Sequence, residues 1–330
     1  MRLAEPFTQL PLTCDVERLR AELAQLTDGD WRAHPSSFFG NSAALLITVD
    51  GGNNDDLGHS GQFRATALLE RLPYTRSVMR ALAAPLSRSR YMRVAPGCSV
   101  PRHNDVGWHW FRRVRVHIPV VTSRTVIFHC ADKQVHMAAG EAWIFDNFEE
   151  HAVDNHSDAF RVHLVVDVVP TVEFFELVAR GRHPFTDLPV EFQPRPIEVG
   201  YGPEPPLPIE PYPPAGLNAD ELGRIVADIS VDLRRLADER KTELAWRELR
   251  KFRESVEQNN EYQACRSAAK RLCQALLPLY RGANWGKTPG ADMLAVLCSL
   301  SFAQDEPTTL ERIKRFAAAR LRRPRAGVAP

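Results

Sequence analysis

A chain of 330 residues, 44% hydrophobic and 25% charged, is long enough for two ordinary domains and too rich in core-forming residues to be wholly disordered. Six cysteines without CxxC spacing exclude a small disulfide scaffold and suggest a reduced, cytoplasmic protein. No apolar run approaches the roughly 18 residues of a membrane span, and residues 1–12 lack the pattern of a signal peptide. The net charge of +1 hides an asymmetry: residues 216–330 hold 21 Lys and Arg against 15 Asp and Glu, and the remainder holds 21 against 26. The basic half reads as a solvated helix surface or, alternatively, as a face for an acidic partner. No basic motif with interleaved aromatics suggests nucleic acid.

In chain order, Val16, Leu19, Leu23 and Leu26 form a helical stripe behind an Asp15 cap, and a second helix is expected over 74–82. Strands are expected at 44–49, 91–95, 114–121, 125–130, 141–145 and 161–168, all but 141–145 rich in Val and Ile. Val114, Val116 and Ile118 alternate with Arg115 and His117; Val162, Leu164 and Val166 alternate with Arg161, His163 and Val165. Gly140 punctuates the turn into the 141–145 strand. Short strands at this spacing suggest a sandwich or barrel. Residues 184–214 contain 11 of the 25 prolines, a density that reads as an extended connector. The division expected is therefore 1–183 as a β domain, 184–215 as connector and 216–330 as a helical domain. Within the last, Leu222, Ile225, Ile229, Leu233 and Leu236 follow an Asn218 cap, with further helices at 242–258, 261–277, 290–303 and 307–321.

All eleven histidines precede residue 184, and eight fall between His103 and His163. Among them is an ordered set: His103 and Asp105 in an HxD step, His151, then Arg161 at the head of an alternating strand. Two imidazoles and a carboxylate on one face of an octahedral ion form the facial triad of non-haem Fe(II) oxygenases. Three positions stay open, two for a 2-oxo acid and one for O₂. Arg161 is the candidate fork for the distal carboxylate of that acid. Arg115 and His117 point into the same interior by parity. A second HxD step, His156-Ser157-Asp158, lacks a downstream histidine at suitable spacing and reads as a polar turn.

Four stretches, RVHIPVVT (115–122), GEAWIFDN (140–147), HAVDNHS (151–157) and RVHLVVDV (161–168), carry a resemblance to the aspartyl/asparaginyl β-hydroxylase family of Fe(II)- and 2-oxoglutarate-dependent dioxygenases. Within it the chain is most similar to the bacterial L-proline cis-4-hydroxylase branch. The resemblance implies a mainly β, double-stranded β-helix core (jelly roll, cupin-like) with N-terminal helices and a C-terminal helical region. It implies Fe(II) on His103, Asp105 and His151. It implies 2-oxoglutarate and O₂ as cosubstrates, with Arg161, Arg115 and His117 on the 2-oxoglutarate side. Vertebrate-type members lack the carboxylate ligand, so Asp105 places the chain with the bacterial amino-acid hydroxylases.

The expected activity is hydroxylation of an aliphatic C–H of a free amino acid or similar small molecule. The alternatives are an Asp, Asn or other residue in a peptide or carrier-bound substrate, and a non-catalytic β-helix binding module. No nucleic-acid or membrane partner is expected, and the helical region is a candidate dimerisation surface. Trp108, His109 and Trp110 are read as either a substrate-contacting lip or packing, and Arg112 and Arg113 as either carboxylate holders or solvated side chains. The glycine-rich segment 51–61 is either a lid or a surface loop. Trp143, Asp146, Asn155 and Asp167 are read as packing and turn residues. The 282–288 segment only mimics a phosphate-binding loop.

Overall fold

Strict alternation along three central strands gives the larger sheet two unlike faces. In the computed structural model, Val116, Ile118, Ala142, Ile144, Leu164 and Val166 share one core cluster, whereas Trp143 and Phe145 belong to another. The register explains this: Val166 pairs with Val116 and Leu164 with Ile118, while Asp167 faces Arg115 and both Val165 and Trp143 face His117. The structure describes residues 1–35, 38–186, 191–198, 205–236, 239–282 and 288–302. The helix expected at 307–321, most of the 282–288 segment and part of the proline-rich stretch lie outside the described residues.

The strands are β1 (Phe7–Thr13), β2 (Trp31–Ala33), β3 (Asn41–Val49), β4 (Phe63–Ala65), β5 (Leu86–Val94), β6 (Ser99–His103), β7 (Val114–Val121), β8 (Val126–Cys130), β9 (Lys133–Val135), β10 (Glu141–Phe145), β11 (His151–Asn155), β12 (Arg161–Val168) and β13 (Arg195–Pro196). Among the described residues they form a nine-stranded sheet, β13-β1-β10-β7-β12-β5-β3-β2 with β4 on β3, and a four-stranded sheet, β6-β11-β8-β9. This is a double-stranded β-helix. Gly140 enters β10 at φ +83°, and a Cβ there would lie 2.8 Å from the Cys14 carbonyl oxygen.

Helices α1 (Val16–Leu23), α2 (Ala67–Glu70), α3 (Pro73–Arg80) and α5 (Val172–Ala179) cover the outer face of the larger sheet, burying Leu19, Leu69, Val78 and Phe174 in its cluster. Asp15 caps α1 as a side-chain acceptor for the Arg18 amide. The helix stops at Leu23, short of the expected stripe. Gln25 and Leu26 donate three residues back, to Glu22 and Leu23, so the last turn tightens, yet Leu26 still packs on the core. Helix α2, capped by Thr66, had no counterpart among the expected elements.

The chain divides into two compact units, Met1–Asp105 with His109–Tyr212, and Val106–Trp108 with Pro213–Pro330. The proline-rich stretch is accordingly part of the β unit over much of its described length. β13 pairs with the edge strand β1, Ile197 enters the core, and Leu86 donates to the Pro208 carbonyl. An edge position needs few N–H groups, so prolines fit there. In the helical unit, α6 (Ala219–Arg235), α7 (Glu239–Gln258), α8 (Tyr262–Gly282) and α9 (Pro289–Phe302) bury Ile225, Ile229, Phe252, Leu272 and Leu297. Asn218 and Glu221 form a reciprocal cap on α6. No described helix is long and apolar enough to cross a membrane.

Asn155 joins the two sheets. Fully buried on β11, it donates through Nδ2 to the carbonyls of Val94, Ala95 and Ala159 and accepts from Ser157. Removing it leaves several buried carbonyls unpaired, each worth about 1–3 kcal/mol. Asn155→Ala is expected to lower unfolding free energy by about 2 kcal/mol or more in a urea titration; an unchanged midpoint would show that this joint carries no load.

Candidate metal centre and its charged surround

β6 ends on His103 and β11 begins on His151, and the antiparallel register sets these two residues directly opposite each other. Their ring centroids are 4.3 Å apart. Asp105 follows two residues after β6. Its amide donates to the Asn147 carbonyl at 2.9 Å, and Asn147 Nδ2 donates back to Asp105 Oδ2 at 3.1 Å. The carboxylate thereby lies 4.0 Å from His103 Nε2 and 3.8 Å from His151 Nε2. One donor atom from each of the three residues fits within 4.8 Å of the others.

The tautomers follow from elementary chemistry. His103 Nδ1 lies 2.7 Å from the Pro101 carbonyl and His151 Nδ1 lies 2.9 Å from the Glu149 carbonyl. A carbonyl only accepts, so each Nδ1 carries the proton and each Nε2 presents a lone pair toward Asp105. Burial holds His151 down at about 4, with the Asp105 charge opposing and His103 adding to the shift. Burial alone would raise the Asp105 carboxyl; Arg115, His151, His103 and the Asn147 bond outweigh it and hold it below the usual range.

Asp105 is tied to the larger sheet through Arg115. Arg115 Nε and Nη2 donate to the two oxygens of Asp167 at 2.8 and 3.0 Å, and Nη1 lies 3.4 Å from Asp105 Oδ2. Its fork is thus engaged by two carboxylates of the protein. His109 Nε2 lies 3.0 Å from Asp167 Oδ2, and burial pulls His109 down to about 3, so it is neutral. Asp167 is a correction to its reading as a packing residue: it is a buried counter-ion held well below the carboxylate range against the effect of burial, first by Arg115. Arg113 is likewise neither solvated nor free for a ligand. It is buried, donating to Glu210 at 2.6 and 3.1 Å and to Ser87 at 2.7 Å. Arg112 is half-buried at the end of α4 (Trp108–Arg112). Trp108 is buried, and Trp110 stacks under Arg115 at 4.2 Å. His109 and Trp110 contact the Arg115–Asp167 pair directly, and Arg113 donates to the His109 carbonyl at 3.2 Å.

Arg161 is a fully buried guanidinium with no carboxylate partner among the described residues. Its Nη2 lies 2.7 Å from His163 Nδ1, which must accept, leaving His163 Nε2 protonated and unpartnered. Arg161 Nε and both ring nitrogens of His117 also lack partners. Burial lowers Arg161 to about 9 and, with the Arg161 charge, holds His117 and His163 well below the usual imidazole range. The glycine-rich segment is pinned: Asp56 accepts from the amides of Gly58 and His59, and Tyr212 donates to the His59 carbonyl.

A double-stranded β-helix that gathers two Nε2 lone pairs and a carboxylate at the edge of its interior defines a candidate metal-dependent oxygenase. Residues 15–170, just under half of the chain, match the aspartyl/asparaginyl beta-hydroxylase family model. Similar solved structures include an oxidoreductase of the 2OG-Fe(II) oxygenase family from Burkholderia pseudomallei, with 14% identity over 46% of this chain and 76% of that one, at a TM-score of 0.33. A predicted oxalate decarboxylase from Thermotoga maritima has 22% identity over 28% and 73%, at a TM-score of 0.22. No curated protein matches.

Three imidazoles, His109, His117 and His163, are buried and held neutral. The unfolded chain takes up their protons near 6.5, the folded chain only well below that. Stability is then fully present above about 6.5 and falls as pH drops toward the folded values, by roughly 1 kcal/mol per pH unit for each histidine. Chelator-treated protein should lose urea resistance steadily from pH 7 to pH 5, with a shallower slope in His109→Gln. A flat profile over that range would contradict the assignment.

Proposed function

We propose that the chain is an Fe(II)- and 2-oxoglutarate-dependent dioxygenase acting on an aliphatic C–H of a free amino acid or similar small molecule. The observation that carries the reading is the pairing of a ready donor set with a buried cation, Arg161, that has no counter-ion among the described residues. The two Nε2 lone pairs and the Asp105 carboxylate suit Fe(II), and three ligands leave half of an octahedron open. A desolvated guanidinium without a partner is costly unless a ligand anion completes it. Arg161 is the group that would take the distal carboxylate of 2-oxoglutarate. When bound, the iron and 2-oxoglutarate supply the oxygen chemistry, yielding succinate and CO₂.

The protein's own part is binding and orientation. Arg161 Nη2 is steered by His163 Nδ1. His117, ringed by Phe128 and Phe145 at 5.2 Å, offers unpaired nitrogens on the same inner face. Arg115 serves Asp105 rather than a ligand carboxylate, fixing the oxygen that faces the two imidazoles. The free-amino-acid substrate is supported by the resemblance to the bacterial branch and by the presence of Asp105. Hydroxylation of an aspartyl or asparaginyl residue in a peptide is the reading that the family's own description favours.

Succinate formation with Fe(II) and 2-oxoglutarate, screened across free amino acids and then peptides, separates the two. Stimulation by a free amino acid supports the first, stimulation by peptides alone the second, and none with any substrate contradicts both. His151→Ala should abolish iron retention and turnover. Arg161→Lys keeps the charge but loses the fork, and should raise the 2-oxoglutarate KM tenfold or more while leaving iron stoichiometry near one per chain. An unchanged KM would move the anchor elsewhere.

A further inference from the structure

Two arginines absent from the sequence reading lie on the inner face of the larger sheet, the face that carries Arg115, Asp167 and Arg161. Arg88 and Arg90 occupy alternate positions of β5 and are 6% and 4% exposed. Arg90 pairs in register with Val165 of β12, next to the Asp167 that Arg115 holds. Burial with the charges of Arg88 and Arg115 pushes Arg90 well down from its ordinary value. The same three guanidiniums, behind burial, help hold His34 at about 3.

The counter-charges do not match. Asp167 is engaged by Arg115 and His109, and Asp105 faces His103 and His151. What remains for Arg88 and Arg90 is Asp55, in the pinned 51–61 segment. Its carboxylate is 34% exposed and lies 3.6 Å from Arg90 Nη1, beyond hydrogen-bond range, while its backbone carbonyl accepts from Arg88 Nη1 at 3.3 Å. Arg90 Nη1 and Arg88 Nε, both on side chains more than nine-tenths buried, have no hydrogen-bond partner. Buried, unpaired donors of this kind are costly in a scaffold and useful in a site.

We propose that Arg88 and Arg90 form a carboxylate-binding subsite for the molecule to be hydroxylated, with Asp55 as a weak resident counter-ion that the incoming carboxylate replaces. The subsite is distinct from the Arg161 anchor. Arg161 pairs with Val94 and Val165 with Arg90, so the two positions are four residues apart on β12, about 13 Å of strand. A planar fork suits a carboxylate, and two forks on one face suit its bidentate capture. The inference rests on the hydroxylase reading for what happens to the bound molecule, not for the binding itself. A free amino acid would present its α-carboxylate, a peptide an acidic side chain.

The test is isothermal titration calorimetry on the full chain, with 2-oxoglutarate and Mn(II) in place of iron. The probes are L-proline, L-leucine and L-aspartate, each against its carboxamide, and an end-blocked aspartyl tripeptide against its asparaginyl counterpart. At least one acid should bind tenfold or more tighter than its amide. Arg90→Gln should bring that ratio below twofold, Arg90→Lys should recover part of it, and 2-oxoglutarate affinity should change less than either. Asp55→Asn, at a partly exposed position, should tighten acids threefold or more relative to amides. Preference within the free series identifies an α-carboxylate, within the peptide series an acidic residue. Equal binding of acids and amides, no millimolar binding of any acid, or an intact preference in Arg90→Gln would overturn the proposal. So would a tenfold loss of 2-oxoglutarate affinity in Arg90→Gln with the ratio unmoved, which would assign the arginines to the cosubstrate. Failure of 2-oxoglutarate to bind the wild type would instead overturn the dioxygenase reading, and the acid-to-amide ratio can still be measured without it.

Discussion

The bidentate pair between Arg115 and Asp167 is the constraint on which the site depends. Both groups are buried, on neighbouring strands of the larger sheet, and neither is tolerable there alone. Losing one partner of such a pair typically costs about 3–5 kcal/mol. The same guanidinium reaches Asp105, which belongs to the segment following the smaller sheet. One side chain thus fixes the metal-facing carboxylate relative to the other sheet. His109, neutral and bonded to Asp167, completes the arrangement from α4.

The buried polar groups of the β unit separate into satisfied and unsatisfied ones. Glu22 shows the first kind: its carboxylate accepts from the amides of Tyr74 and Thr75 and from the Thr75 hydroxyl, holding α3 against α1. Glu210 with Arg113 is another. Arg161, His163, His117, Arg88 and Arg90 show the second kind, with donors or ring nitrogens left over. Leftover donors and ring nitrogens gathered on one inner face are the groups a polar ligand would complete.

Period-two alternation made β7, β10 and β12 legible from sequence, because one face of each is apolar and the other is not. The same alternation identified the interior direction of Arg115, His117 and Arg161. β6 and β11, which carry His103 and His151, have no such pattern: β6 reads SVPRH and is largely exposed, so only the histidine spacing hinted at their pairing. Asp167 was misread because an acid amid valines looks like a local defect, and its partner lies 52 residues away. Arg88 and Arg90 sit in a run, LSRSRYMRV, whose serines and arginines suggest an exposed edge. Burial on an inner β5 position depends on which strands flank it, and that is a tertiary fact. The described proline-rich residues became part of the β unit for the same reason: edge pairing and the Glu210–Arg113 contact are invisible to composition.

Anaerobic absorption spectroscopy tests the central claim most directly. Adding 2-oxoglutarate to the Fe(II)-loaded chain should produce a visible metal-to-ligand charge-transfer band, saturating at one iron and one 2-oxoglutarate per chain. Asp105→Ala and His151→Ala should lack it, and Arg161→Lys should show it only at higher 2-oxoglutarate concentration. A wild-type chain that takes up iron without developing the band, or a band unaffected by loss of Asp105 and His151, would contradict the account.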